Sequence, residues 1–193
     1  MTAAHFKMER LSRLEAKSVD TALAWLASSR SSASPEILGS PLARRALFSC
    51  MIERALPIPL GLLGIQSLLL IDDEPAVLRA TSRVLRQAAP DLKVLLAEGA
   101  HAGLLQVEGQ KPDAVLVDAY MPELSGVDVC SHIRSARGSG HPSVVAMTAD
   151  PTPELAARFA RAGAIAFLEK PVDAPALFEV LSAHLMPSTV GDW

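Results

Sequence analysis

The chain has 193 residues, half of them hydrophobic, which is enough for a real core and for one domain with appendages or two small ones. Its formal net charge of −3 is unevenly spread: residues 1–66 carry 8 Lys/Arg against 5 Asp/Glu, and residues 67–193 carry 10 against 16. An acidic second part argues against nucleic acid as its direct partner, and Cys50 and Cys130, with no C-x-x-C and no histidine pair beside them, make neither a disulfide framework nor a zinc site.

In chain order, residues 3–27 read as a helix, with Met8, Leu11, Leu14, Ala22, Trp25 and Leu26 partly keeping a helical spacing. Ser28–Ser34 is a linker of small polar residues, and a second helix is expected from about Pro41 to Leu56, turning Leu42, Leu47 and Met51 towards one side. Residues 1–66 match no catalytic pattern. They read as a docking helix pair, a dimerising arm or a partly disordered extension, with a mis-assigned start codon as a further alternative. No short basic region precedes an apolar core at the N-terminus, so a signal peptide is not expected. The window Ala55–Ile71 approaches a membrane-spanning length. It is broken by Pro57, Pro59, Gly61, Gly64, Gln66 and Ser67, and its end is better explained as a strand, so no membrane span is expected.

From Leu68 the pattern becomes strand and helix in alternation, the signature of a parallel sheet with helices on both faces. Strands are expected at Leu68–Ile71, Lys93–Ala97, Ala114–Val117, Val144–Met147 and Ala164–Leu168. Helices are expected at Pro75–Ala88, His101–Val107, Ser125–Ser135, Pro153–Ala162 with Gly163 as its C-cap, and Pro175–Leu185. The result is an α/β domain, a five-stranded doubly wound parallel sheet, with a mainly helical N-terminal extension.

Four of these strands end in polar residues: Asp72 and Asp73, Asp118, Thr148, and Lys170. Ligands bind open α/β sheets at the carboxyl ends of the strands. Two adjacent acids repel unless a proton or cation joins them, so Asp72 and Asp73 point to a divalent metal. Taken singly, an Asp or Thr at a strand end is more often a turn former or helix cap, and a lone Lys a solvated charge. Acids at two strand ends, a hydroxyl at a third and a lysine-proline at a fourth form a set that stability does not require.

The motifs LLLIDDEP, VLVDAYMPELSG, VVAMTA and FLEKP, in this order and at these separations, make residues 67–186 resemble the receiver domain of two-component response regulators. The resemblance implies a flavodoxin-like (CheY-like) fold with strand order 2-1-3-4-5, a receiver over residues 67–187 and a short tail at 188–193. It implies that Asp118 is the phosphoacceptor, charged by a histidine kinase or phosphotransfer protein. Mg²⁺ would be held by Asp73, Asp118 and the backbone carbonyl of Tyr120, with Asp72 acting through water. Thr148 and Lys170 would bind phosphoryl oxygens, the Lys170–Pro171 peptide would be cis, and Phe167 would be the aromatic switch coupled to Thr148.

Chemistry agrees with these roles, since carboxylate attack on a phosphoryl dianion needs positive charge nearby, which Mg²⁺ and Lys170 supply. Gly126 suits a tight turn into the third helix. His101, His132 and His141 have no metal spacing and read as surface or cap residues. Residues 171–193 contain no Lys or Arg, so no helix-turn-helix output domain is expected to follow. The expected protein is therefore cytoplasmic and not an enzyme. Its output would be binding to a downstream protein or to a second copy in a homodimer. The alternative is a receiver-fold scaffold module that is not phosphorylated and acts through its N-terminal helices. An aspartyl-nucleophile phosphatase is more remote, because its acid pair shares one strand with the nucleophile.

Overall fold

The computed structural model describes Leu47, Cys50, Met51 and residues 64–136 and 142–185. The chain divides into two compact units, residues 1–56 with 182–193 and residues 57–181, and each is taken by itself. In the first, Leu47, Cys50 and Met51 are helical, with Leu47 and Met51 buried; the rest of the helix expected at Pro41–Leu56 lies outside the described residues. Cys50 is half-buried and Cys130 buried, and both are free thiols, in keeping with the absence of a disulfide framework. The helix expected at 3–27, the linker, His141 and the tail at 188–193 lie outside the described residues.

The second unit alternates strand and helix throughout. Its elements are β1 (Ser67–Asp72), α1 (Pro75–Ala88), β2 (Lys93–Glu98), α2 (Ala100–Gln110), β3 (Ala114–Asp118), α3 (Gly126–Ser135), β4 (Ser143–Thr148), α4 (Pro153–Ala162), β5 (Ala166–Glu169) and α5 (Ala174–Leu185), the last running into the other unit. All strand pairs are parallel, in the order β2-β1-β3-β4-β5. Right-handed crossovers that turn back after β2 place α1 on one face of the sheet and α2 on the other.

Burial follows from that order. In β1, Leu68, Leu69, Leu70 and Ile71 are fully buried, as are Ala114 to Val117 in β3, because both strands lie inside a sheet covered on both faces. Each such leucine or isoleucine contributes roughly 1.5–3 kcal/mol relative to exposure. One face carries Leu69, Ile71, Val115, Val117, Val144 and Ala146 against Val129 and Ile133 of α3 and Leu155 and Phe159 of α4. The edge strands β2 and β5 are only partly covered.

Helix starts are written locally. α1 begins with Pro75, whose missing N–H costs nothing there, and the Asp72 carboxylate accepts the Glu74 N–H at 2.9 Å. α3 begins with a reciprocal capping box: Ser125 Oγ accepts the Asp128 N–H at 3.3 Å, and Asp128 Oδ2 accepts the Ser125 N–H at 3.1 Å. α4 is capped by Thr152 and stops at Gly163, which takes the left-handed conformation (φ +103°) expected of a glycine C-cap.

The requirement for glycine at 126 differs from the expected tight turn. Gly126 is the first residue of α3 and lies outside the left-handed region. Its constraint is close approach: a Cβ there would collide with the backbone carbonyl oxygen of Asp118 and stand 3.1 Å from Phe159 Cζ.

Two outcomes follow. Gly126→Ala should cost about 1–3 kcal/mol, the usual range for overpacking, read as a lower urea midpoint; an unchanged midpoint would mean that the β3–α3 junction relaxes freely. Ser125→Ala should cost about 1 kcal/mol at neutral pH. Hydrogen bonds from the Ser125 side chain and backbone hold the exposed Asp128 carboxyl below its usual 3.8. Its folded value is thus the lower one, so the contribution of its charge is present above 3.8 and lost as pH falls through the folded value. The stability gap between Ser125→Ala and the parent should therefore narrow on acidification below 3.8, and a gap that widens would contradict the box.

Candidate functional site

Because all five strands are parallel, their carboxyl ends share one edge of the sheet, and the polar residues that end them meet there. β1 delivers Asp72, with 0% exposure, and Asp73, half-buried; β3 delivers Asp118, 5% exposed; β4 delivers Thr148, fully buried. Lys170 follows β5, and the Lys170–Pro171 peptide is cis. The Lys170 backbone N–H donates to the Thr148 carbonyl at 2.7 Å, tying the end of β5 to the end of β4.

Lys170 organises the charges. Its Nζ donates to Asp72 Oδ2 at 2.7 Å and lies 2.8 Å from Asp118 Oδ1, with only 14% of its side chain exposed. Burial alone would depress this ammonium, but the hydrogen bonds and charges of Asp118 and Asp72 outweigh it and hold Lys170 above its usual 10.5. Asp118 is pushed above its usual 3.8, chiefly by burial and also by the Asp72 charge; Lys170 and the Tyr120 N–H, which donates to Asp118 Oδ2 at 3.2 Å, pull the other way.

One carboxylate oxygen each from Asp72, Asp73 and Asp118 lies within 4.8 Å of the others. With all three ionised, Lys170 neutralises one of three negative charges. Asp72 has both oxygens engaged, by Glu74 and Lys170, whereas Asp73 has no hydrogen bond or ion pair among the described residues. A half-buried, unpartnered carboxylate beside two others is a donor set of hard oxygens, suited to a small divalent cation.

Three further residues stand near the end of β4 or beside Asp118. The Thr148 hydroxyl accepts the Asp150 N–H at 3.2 Å. Tyr120 is 59% exposed, and its backbone N–H is the one that donates to Asp118 Oδ2. Phe167 pairs in register with Ala146, two residues before Thr148 on the same face, and its ring meets Phe159 with centroids 5.6 Å apart at 42°.

The sequence reading missed the rim on the β2 side. Asp73, Glu98, His101, Pro122 and Glu123 line a cleft of about 260 Å³ beside the acid cluster. Glu98 ends β2 in register with Asp72, and His101 Nδ1 stands 3.2 Å from Glu123 Oε2. The signal for Glu98 was available, as the polar end of the one strand left out of the set. His101 and His132 are on the surface, as expected.

Known proteins match this geometry. The response regulator receiver domain family matches residues 68–182. The protein PilH of Pseudomonas aeruginosa is 31% identical over 120 residues, covering 61% of this chain and 96% of PilH. The sensory/regulatory protein RpfC of Xanthomonas campestris is 39% identical over 124 residues, covering 63% of this chain but only 17% of RpfC. Among solved structures, a receiver domain protein from Clostridium thermocellum superimposes with a TM-score of 0.55 at 27% identity, covering 63% of this chain and 94% of that one. A CheY-like receiver from Methanospirillum hungatei gives 0.55 at 25%, with the same coverage. No helix among the described residues is long and apolar enough to cross a membrane. With its family match, its 2-1-3-4-5 sheet and its acids gathered at one sheet edge, the chain belongs to the response regulator receiver domains of two-component signalling.

Proposed function

We propose that residues 67–187 form a working receiver that takes a phosphoryl group on Asp118 from a histidine kinase or phosphotransfer protein, with Mg²⁺ as cofactor, and signals in the cytoplasm by binding another protein or a second copy. Residues 1–66 would be its N-terminal extension and 188–193 a tail. The observation that carries the reading is Lys170 Nζ held between Asp72 and Asp118, with Asp73 left open beside them.

In the transfer, an Asp118 carboxylate oxygen attacks phosphorus. The new O–P bond forms as the donor's P–N bond breaks, and the leaving imidazole keeps the electron pair. An ionised carboxylate needs no general base. Asp73, Asp118 and the Tyr120 carbonyl would hold Mg²⁺ directly, with Asp72 through water, and the ion would supply the positive charge that phosphoryl transfer requires. Lys170, already within hydrogen-bonding distance of Asp118, would pair with one phosphoryl oxygen, and the Thr148 hydroxyl with another.

Output would run through Phe167. It shares a sheet face with Thr148, and a cavity of about 100 Å³ beside it is lined by Phe159 and small residues including Ala156 and Ala160. That space would let the ring change rotamer when Thr148 moves, and the α4–β5 surface would be remodelled with it.

Incubation with acetyl phosphate and Mg²⁺ should add the mass of one phosphoryl group. Asp118→Asn or removal of the metal with EDTA should abolish the addition. Mg²⁺ alone should raise the melting temperature, with about 2.7 kcal/mol of stabilisation at a hundredfold excess over Kd, and Asp73→Ala should remove most of that rise while keeping the circular dichroism of the parent. A folded protein that shows neither labelling nor a Mg²⁺ shift would sink the reading in favour of a scaffold module of receiver fold.

A further inference from the structure

Away from the acid site, α1 presents a second chemistry. Arg79, Ser82, Arg83, Arg86 and Gln87 are spaced so that they form one stripe along the helix, and together with Leu96 of β2 they line a cleft of about 430 Å³. The helix carries no acid, although residues 67–193 as a whole are acidic. Like charges three and four residues apart weaken a helix, so the stripe is not accounted for by helix stability. Arg79 and Arg83 form no ion pair among the described residues. Arg86 is steered: its guanidinium donates to the Val94 carbonyl of the edge strand at 3.3 Å, which fixes it across the cleft.

Ser82 provides an independent sign. It lines the same cleft, is only 6% exposed, and its hydroxyl has no hydrogen-bond partner among the described residues. A buried hydroxyl without a partner is costly, and it is satisfied if a bound group supplies an acceptor. On the opposite wall Leu96, 37% exposed, offers an apolar surface.

We propose that the cleft between α1 and the edge of β2 binds a small phosphorylated ligand. Its phosphoryl oxygens would be taken by Arg79, Arg83 and Ser82, and its apolar portion set against Leu96. Guanidinium groups favour phosphate because their paired N–H donors match two of its oxygens. The cleft's volume falls within the range usual for small-molecule sites. The site is separate in its residues from the acid cluster, so it stands or falls independently of phosphorylation at Asp118.

Calorimetric titration of the full chain in EDTA, which keeps metal from the acid cluster, tests it with inorganic pyrophosphate and 5′-AMP as probes. Saturable binding of either is expected. Tighter binding of AMP identifies a ligand with an apolar or aromatic part, and tighter binding of pyrophosphate an inorganic one. Arg79→Gln/Arg83→Gln should weaken binding by at least about tenfold, since each arginine contributes a charge-assisted hydrogen bond. Ser82→Ala, a change that favours the helix, should weaken it several-fold, and both variants should keep the parent's circular dichroism. Absence of saturable binding overturns the proposal, as does binding that survives the double arginine change. Binding that is insensitive to Ser82→Ala and equalled by poly-glutamate also overturns it, because a diffuse basic face would then suffice.

Discussion

The arrangement that the site depends on is a single ammonium shared by two buried carboxylates. Lys170 Nζ stands 2.7 Å from Asp72 and 2.8 Å from Asp118, residues that are distant in sequence and lie on different strands. Removing one partner of such a buried set typically costs about 3–5 kcal/mol, because a charge is left behind without compensation. The lysine can occupy this place only because β5 is the last strand in a parallel order and its end is tied to Thr148 by a backbone hydrogen bond. Topology therefore sets the electrostatics. A sheet of mixed direction would scatter the same four polar ends over two edges.

The compensation is incomplete, and that incompleteness is chemically useful. Asp118 is held above its usual value chiefly by burial, with Asp72 adding to the effect. Asp73 is left half-buried without a partner. A protein selected for stability alone would replace at least one of these acids with an amide or an apolar residue, since neither a desolvated nor a repelled carboxylate stabilises the fold. Retaining all three makes the edge a poor stabiliser and a good receptor for positive charge.

Much of this was legible in the sequence because β1, β3 and β4 are unbroken apolar runs that stop abruptly at Asp72, Asp118 and Thr148, and fully buried parallel strands read in that way. The edges were less legible. β5 is assigned from Ala166 rather than Ala164, and α2 continues past Val107 to Gln110, where Lys111 takes a left-handed conformation that nothing in Glu108–Gly109–Gln110 announces. The rim formed by Glu98, His101 and Glu123 was missed for a related reason. Glu123 reaches His101 from a loop in which it adopts φ +70° itself, a conformation with no residue signature outside glycine and asparagine. Burial of Ser82 was also hidden. Serine on a helix with arginines around it reads as solvated, yet it is only 6% exposed.

Phe159 stands between the start of α3 and Phe167 of β5. Its Cζ is the next atom after the Asp118 carbonyl that a side chain at position 126 would meet, and its ring is tilted 42° to that of Phe167 with centroids 5.6 Å apart. Fully buried, and set among Val129, Ile133 and Ala146, it cannot shift without moving its neighbours, because interiors packed at crystal-like density have little slack. The slack that exists is local: the cavity of about 100 Å³ adjoins both phenylalanines. Glycine at 126 on one side and alanines at 156 and 160 on the other thus concentrate the small residues around this ring pair, where the close-packed core leaves its local space.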